Sequence, residues 1–149
     1  MPFSLFNTVV SWMLKKRIHQ IELFMKYPHE VQNEVLKKLV NQSKDTFIGK
    51  QYDFKSINSY KDFSERVPAR TYEEFFDYID RTIKGEQNIF CSENIKWFAQ
   101  SSGTTNSKSK FIPVSNSALE DCHFKAGKDM LCLYINNNEN SNIFSGKSL

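Results

Sequence analysis

Apolar residues recur at helical spacing in four stretches of the chain, and the polar residues between them are typical of turns and loops. The first stretch, residues 1–14, precedes a basic cluster and predicts an amphipathic helix packed on the body of the protein. The second runs from Pro28 to about residue 47, and Gly49 is placed to end it. Residues 50–70 predict a loop with short turns.

Two further helices are predicted, and both begin with capping signals. The third begins at Thr71, whose capping box with Glu74 precedes a run of apolar residues, and Gly85 ends it. Its predicted buried face comprises Tyr72, Phe75, Phe76, Ile79 and Ile83. Ser115 or Ser117 caps the fourth helix, with Glu120 completing a box from Ser117. Its predicted buried stripe comprises Leu119, Cys122, Ala126, Met130, Leu133 and Tyr134.

Between the third and fourth helices, the pattern changes to a strand, a hydroxyl-rich loop and a second strand. Trp97, Phe98 and Ala99 predict a buried strand, and residues 110–114 predict the second. Ile143-Phe144 predicts the start of a further strand. The expected fold class is therefore α/β, with about four helices and a few strands around the hydroxyl-rich loop.

Composition narrows the class of protein. The 149 residues carry a net charge of only +3, with basic residues scattered among acidic ones, which disfavours a nucleic-acid binder. The three cysteines, Cys91, Cys122 and Cys132, form no CxxC pair and are expected to be reduced, mostly buried thiols of a cytosolic protein. The three histidines lack metal-ligand spacing, so no metal site is expected.

The loop between the two strands could bind phosphate. Four hydroxyl residues, Ser101, Ser102, Thr104 and Thr105, surround Gly103, which leaves no side chain in the way of a ligand. Backbone N–H groups and hydroxyls in such a loop can converge on phosphate oxygens, and Lys108 or Lys110 can balance the charge. The residues that follow lack the second glycine and the Lys-Ser/Thr pair of a Walker A loop. A solvated turn is the alternative interpretation of a loop rich in serine and threonine.

The loop and its flanks resemble a known enzyme family. SSGTT is followed by Lys110 and Pro113, within IKWFAQSSGTT and KSKFIPVS. These stretches, together with DTFIGKQY (45–52), RVPARTYEEFFDYIDR (66–81) and GEQN (85–88), resemble the auxin-responsive promoter (Gretchen Hagen) family of acyl-acid amido synthetases, which are adenylate-forming enzymes. Ser107 departs from the plant form of the motif, where a glycine is common.

The resemblance implies a reaction and a set of site residues. ATP activates a carboxylic acid: the acid's oxygen attacks the α-phosphate, pyrophosphate leaves, and an amine, typically of an amino acid, takes the acyl group. Residues Ser101, Ser102, Gly103, Thr104 and Thr105 would cradle the β- and γ-phosphates, and Lys110 would be the catalytic lysine. ATP and Mg²⁺ are the implied cofactors, with Mg²⁺ bridging the phosphates, and no metal ligand is expected from this chain.

The resemblance also implies that residues 1–149 are the N-terminal portion of a larger adenylation domain, inactive alone and completed by the remainder of a parent chain. The alternative function is a non-catalytic helical interaction module from a truncated gene. For the N-terminal helix, the alternative to packing is membrane-surface binding; stable membrane insertion is not expected, because the apolar run is too short.

Overall fold

The computed structural model describes residues 3–102 and 109–138, which are mostly helical. The helices are α1 (Phe3–Lys26), α2 (Pro28–Ser43), α3 (Phe47–Gln51), a 3₁₀ turn (Phe54–Ser56), α4 (Tyr60–Arg66), α5 (Tyr72–Ile83), α6 (Asn116–Ala118), a π-helical segment (Leu119–Phe124) and α7 (Lys125–Asn137). Strands β1 (Trp97–Gln100) and β2 (Phe111–Val114) form an antiparallel two-stranded sheet. The chain divides into two compact units, one from Met1–Pro28 with Asp121–Leu149 and one from His29–Glu120.

Gly49 does not end the second helix, contrary to the sequence prediction. Helix α2 stops at Ser43, and Thr46 caps the short helix α3, in which Gly49 lies. The Thr46 hydroxyl donates to the Ser43 carbonyl at 2.6 Å and accepts from the Gly49 N–H at 3.0 Å. A Cβ at position 49 would lie 1.9 Å from the Ser43 carbonyl oxygen. Glycine is therefore required here for a close backbone approach, not for a helix terminus.

The region predicted as a loop, residues 50–70, contains helix α4. Ser59 and Asp62 form a reciprocal capping box: the Asp62 N–H donates to the Ser59 hydroxyl at 3.2 Å, and the Ser59 N–H donates to the Asp62 carboxylate at 3.0 Å. The pKa of Asp62 is lowered, first by a hydrogen bond from the Asn58 N–H to its carboxylate at 3.0 Å and then by hydrogen bonds from Ser59. The Ser-x-x-Asp pattern is the sequence signal that could have found this helix.

The core of the second unit joins two segments that are distant in sequence. It consists of Val40, Ile48, Phe54, Ile57 and Ile89, all buried. The Phe47 N–H donates to the Asn88 carbonyl at 2.9 Å and the Ile48 N–H donates to the Ile89 carbonyl at 3.1 Å. Asn88 has a φ of 61°, a left-handed conformation that asparagine tolerates better than most residues. We call the buried residues Thr46, Ile48, Gly49 and Ile89, together with the exposed Asn88 that joins them through its carbonyl, the buried junction.

Helix α5 begins and ends as the sequence predicts, but fewer of its residues are buried than the sequence predicts. The Thr71–Glu74 capping box is present, and Gly85 follows the helix with a φ of 99°. Of the predicted face, Ile79 is buried, Tyr72 and Phe75 are half-buried, and Phe76 and Ile83 are exposed by 46% and 45%. Thr82 is buried instead and donates its hydroxyl hydrogen to the Tyr78 carbonyl at 2.8 Å.

In the first unit α1 packs against α7, and the packed face of α7 is not the predicted one. Arg17 forms a two-pronged ion pair with Asp129, with N–O distances of 2.5 and 2.6 Å, and Cys132 is buried beside it. The predicted stripe is exposed at Cys122, Ala126, Met130, Leu133 and Tyr134. The predicted stripe assumes 3.6 residues per turn along the whole helix. The π-helical segment has more residues per turn, so the predicted stripe falls on the wrong face of α7. Ser115 rather than Ser117 caps α6.

Candidate functional site

The two strands form a hairpin that closes the hydroxyl-rich loop at its base. Gln100 lies opposite Phe111 in the register. One step beyond the sheet, the Ser101 N–H donates to the Lys110 carbonyl at 2.9 Å, and the Lys110 N–H donates to the Ser101 hydroxyl oxygen at 3.1 Å. Two predicted site residues are thus brought together, and the loop between them spans residues 102–109.

The strand prediction is confirmed, whereas the predicted burial of β1 is wrong. Trp97 is 65% exposed and Ala99 is exposed, and only Phe98 is half-buried. Ser102 is described and exposed. The predicted phosphate ligands Gly103, Thr104 and Thr105 lie outside the described residues, and so do Lys108 and the strand predicted at Ile143-Phe144.

The side chain of Lys110 points toward the first turn of α5. Its ammonium lies 3.5 Å from a carboxylate oxygen of Glu73 and 5.0 Å from the centre of the Tyr72 ring. The pKa of Glu73 is lowered, first by a hydrogen bond from its own backbone N–H and then by the charge of Lys110. Both partners are largely in solvent, with side-chain exposures of 41% for Lys110 and 72% for Glu73.

Tyr72 contacts the strand that carries Lys110 through its hydroxyl. It accepts a hydrogen bond from the Phe111 N–H at 2.9 Å and donates one to the Phe111 carbonyl at 3.3 Å. The sequence assigned Tyr72 to the core, because aromatic residues at helical spacing indicate packing. A contact across 39 positions of sequence leaves no local signal, so neither Tyr72 nor Glu73 could be found as a neighbour of the loop.

Two cavities adjoin the hairpin on the second unit. An apolar pocket of about 410 Å³ is lined by Tyr72, Phe75, Ile79, Phe90, Cys91, Ile95, Ile112, Pro113, Ser115 and Ala118. A larger groove of about 650 Å³ is lined by Tyr72, Glu73, Phe76, Ile83, Ser109, Lys110 and Phe111. The exposed Phe76 and Ile83 of α5 therefore form the apolar wall of a groove whose other side carries Lys110.

The described residues hold no group of three or more His, Cys, Asp or Glu side chains that could bind a metal ion. The cysteines are free, with Cys132 buried, Cys91 half-buried and Cys122 exposed, so the expectation of mostly buried thiols fails at Cys122. Burial raises the pKa of the Cys91 thiol. Within the described part of the chain, no helix is long and apolar enough to cross a membrane.

The fold is that of the N-terminal region of an acyl acid amido synthetase. The solved structure of the AtGH3.15 acyl acid amido synthetase in complex with 2,4-DB aligns with a TM-score of 0.72 and 24% sequence identity, over 83% of this chain and 21% of that one. The family model described as the GH3 family N-terminal domain matches residues 17–149. The chain belongs to the GH3 family, and the family resemblance carried by the loop and its flanking segments is confirmed.

Curated relatives give the same family. The chain is 30% identical over 106 residues to an indole-3-acetic acid-amido synthetase, GH3.2, of Arabidopsis thaliana, covering 70% of this chain and 19% of the relative. It is 29% identical over 107 residues to a jasmonoyl–L-amino acid synthetase, JAR6, of Nicotiana attenuata, covering 71% and 18%. The chain thus spans about a fifth of the length of the curated relatives it matches.

Proposed function

We propose that this chain is the N-terminal portion of an enzyme that activates a carboxylic acid with ATP and transfers the acyl group to the amine of an amino acid. Residues 1–149 contribute the phosphate-binding wall of the site, and the remainder of the parent chain contributes the adenine and acyl pockets. The proposal is supported by the relatives, which are an indole-3-acetic acid-amido synthetase and a jasmonoyl–L-amino acid synthetase. The protein is proposed to act in the cytoplasm.

The observation that carries this proposal is the closure of the loop by Ser101 and Lys110. The Lys110 N–H bonds to the Ser101 hydroxyl oxygen, and the same hydroxyl would donate its hydrogen to a phosphate oxygen. Lys110 brings an ammonium to the same end of the hairpin. Ser102, Gly103, Thr104 and Thr105 would add hydroxyl and backbone donors between these two residues, which is the donor set that a polyphosphate requires.

The chemistry needs positioning and charge neutralisation more than an enzyme nucleophile. The carboxylate oxygen of the acid forms a bond to the α-phosphorus while the bond to the bridging oxygen breaks, and pyrophosphate leaves with that electron pair. The amine then attacks the acyl carbon, and AMP leaves. Lys110 and the loop donors would hold the departing phosphates. Mg²⁺, when bound, would supply further positive charge through phosphate oxygens and water, and the hydroxyls of the loop with Lys110 would hold the phosphates that carry it.

Exchange of labelled pyrophosphate into ATP, dependent on an added carboxylic acid, tests the proposal in the complete polypeptide that carries this chain. The panel contains both aromatic and aliphatic acids. We expect exchange with at least one acid, and we expect Lys110→Ala to reduce its rate by about 10²–10³-fold.

The matched control is Lys84→Ala, which removes an exposed lysine that follows α5 and is ion-paired with Asp80 of that helix. We expect it to leave the exchange rate unchanged. A folded protein that shows no exchange with any acid would favour the alternative, a non-catalytic interaction module. Near-normal exchange in Lys110→Ala would mean that this lysine does not contact phosphate.

A further inference from the structure

The exit of the loop is held from outside the sheet by one tyrosine hydroxyl. Bonded and non-bonded pairs alternate in an antiparallel ladder. Ser101 and Lys110 form a bonded pair, so the N–H and carbonyl of the next residue, Phe111, point away from β1. Both groups are bonded to the Tyr72 hydroxyl. The backbone immediately after Lys110 is therefore fixed to the first turn of α5.

The same turn also holds the side chain of Lys110. Tyr72 offers the face of its ring to the ammonium, and Glu73 offers a carboxylate on the adjacent position of the helix. Tyr72 and Glu73 are consecutive in sequence, so one helical turn fixes both the main chain and the charge of the proposed phosphate ligand. The ring contact and the ion pair favour one rotamer of a long, flexible side chain.

The ion pair between Lys110 and Glu73 can easily be replaced by a contact between Lys110 and another anion. Both side chains are accessible to water, and ion pairs of this kind contribute little because solvent and salt screen them. A polyphosphate carries more negative charge than one carboxylate and forms stronger charge-assisted hydrogen bonds with an ammonium. The carboxylate is therefore a weak competitor for the ammonium rather than a permanent partner.

We propose that Tyr72 is a positioning residue for the phosphate-binding lysine and that Glu73 is the partner of its ammonium before phosphate binds. The Tyr72 hydroxyl fixes the loop exit, and Glu73 holds the Lys110 ammonium beside the loop until a polyphosphate replaces the carboxylate. This inference rests on the proposed function, because it assigns a role in the use of ATP. It adds two residues of α5 that act through Lys110 and Phe111 without contacting the reacting atoms.

Steady-state kinetics of acid-dependent pyrophosphate exchange, at varied ATP, test the role of Glu73 in the complete polypeptide. Glu73→Gln removes the competing charge, and we expect the KM for ATP to fall by about two- to fivefold with little change in kcat. In a Lys110→Met background the same substitution should leave the KM where Lys110→Met alone sets it. A KM that is unchanged or higher in Glu73→Gln, or an equal shift in both backgrounds, overturns the role of Glu73.

The matched control is Glu74→Gln. Its carboxylate accepts hydrogen bonds from the Thr71 N–H at 2.6 Å and the Thr71 hydroxyl at 3.0 Å, so it caps the helix and is not paired with Lys110. We expect a lower melting temperature and an unchanged KM for ATP. A fall in KM equal to that of Glu73→Gln would assign the effect to general charge near α5 and would overturn the proposal.

Tyr72→Phe tests the other half of the inference. Hydrogen exchange of the Phe111 amide should accelerate by at least about tenfold, because the amide loses its acceptor, while exchange at Ala99 in the middle of β1 stays near wild type. The kcat of pyrophosphate exchange should fall as the loop exit loosens. Unchanged Phe111 exchange, or an unchanged kcat despite faster exchange, overturns the positioning role of Tyr72.

Failure of the proposed function gives a different result. If the wild-type polypeptide shows no pyrophosphate exchange with any acid, NMR of the Lys110 ammonium during titration with tripolyphosphate tests whether the loop binds phosphate at all. No shift of that signal means that the loop does not bind phosphate, and both proposals fall. Exchange in the wild type with no change in the variants refutes only the roles of Tyr72 and Glu73.

Discussion

The buried junction and the hairpin lie on the same compact unit and are held in different ways. In the junction Thr46 is fully buried, Ile89 is 2% exposed, and two backbone hydrogen bonds join the segments that carry them. In the hairpin Trp97 is 65% exposed and Ile112 is 52% exposed. The junction is stabilised by burial and by satisfied polar groups, whereas the hairpin is positioned by a few directed contacts with α5. Substitutions in the first should therefore affect stability, and substitutions in the second should affect function.

The largest expected effect is at Gly49 in the junction. Gly49→Ala places a Cβ 1.9 Å from the Ser43 carbonyl oxygen, and backbone cannot move aside as a flexible side chain can. We expect a loss of about 3 kcal/mol in the free energy of unfolding, measured by urea denaturation. Gly127→Ala is the control, because among the described residues beyond its own stretch of helix no atom lies within 4 Å of its Cβ position, and alanine favours the helix. Equal effects of the two substitutions would contradict the close approach at Gly49.

Thr46→Val should have the next largest effect. Valine keeps the shape but leaves the N–H of the buried Gly49 without the hydroxyl that accepts its hydrogen bond, and it removes one of the two donors to the Ser43 carbonyl. We expect a loss of about 2 kcal/mol in the same measurement. Thr46→Ser, which keeps the hydroxyl, should lose less. If serine were as destabilising as valine, the hydrogen bonds of the Thr46 hydroxyl would not be what stabilises the junction.

A pH-dependent effect is expected at Glu74, where α5 begins. Hydrogen bonds from the Thr71 N–H and hydroxyl lower the pKa of this carboxyl in the folded protein. A lowered folded pKa means that the stabilisation is complete above the ordinary value of about 4.3 and is lost as the pH falls through the folded value. The melting temperature of the wild type should therefore exceed that of Glu74→Gln at pH 7, and the difference should shrink below about pH 4. A difference that does not change with pH would exclude the carboxylate as its cause.

The smallest effect is expected at the exposed face of the hairpin. Trp97→Thr exchanges one residue of high strand propensity for another at a position that is 65% exposed. We expect the free energy of unfolding to change by no more than about 0.5 kcal/mol. A loss as large as that of Thr46→Val would show that Trp97 packs against something, and the description of β1 as an exposed strand would be wrong.

The sequence correctly predicts structural features that depend on neighbouring residues. Its predictions are wrong where contacts between more distant residues determine the structure. Thr71 and Glu74 mark the start of α5, and Gly85 marks its end, because caps are local patterns. Gly49 is misassigned, because the atom that demands a glycine belongs to the end of the preceding helix rather than to its own turn. The face of α7 is misassigned because the π-helical segment shifts the phase of the repeat.

The candidate site likewise contains residues that the sequence predicts and residues that it does not. Lys110 and Ser101 are found from the motif, and the register of the hairpin brings them together. Their assignment as phosphate ligands stays a prediction. Tyr72 and Glu73 could not be found, since a helix–strand contact is set by tertiary packing, and periodicity alone places Tyr72 in the core. A motif therefore predicts which residues act, but it does not predict what holds them in place.

The bond between the Tyr72 hydroxyl and Phe111 also affects how this protein meets other chains. In the described part of the chain β2 pairs only with β1, so its outer side is a sheet edge, where free N–H and carbonyl groups can recruit a strand from another molecule. At Phe111 both groups are already occupied by the tyrosine hydroxyl. The Tyr72 hydroxyl thus prevents a strand of another molecule from pairing with β2 at Phe111. This position adjoins an apolar groove, where such pairing would otherwise favour aggregation.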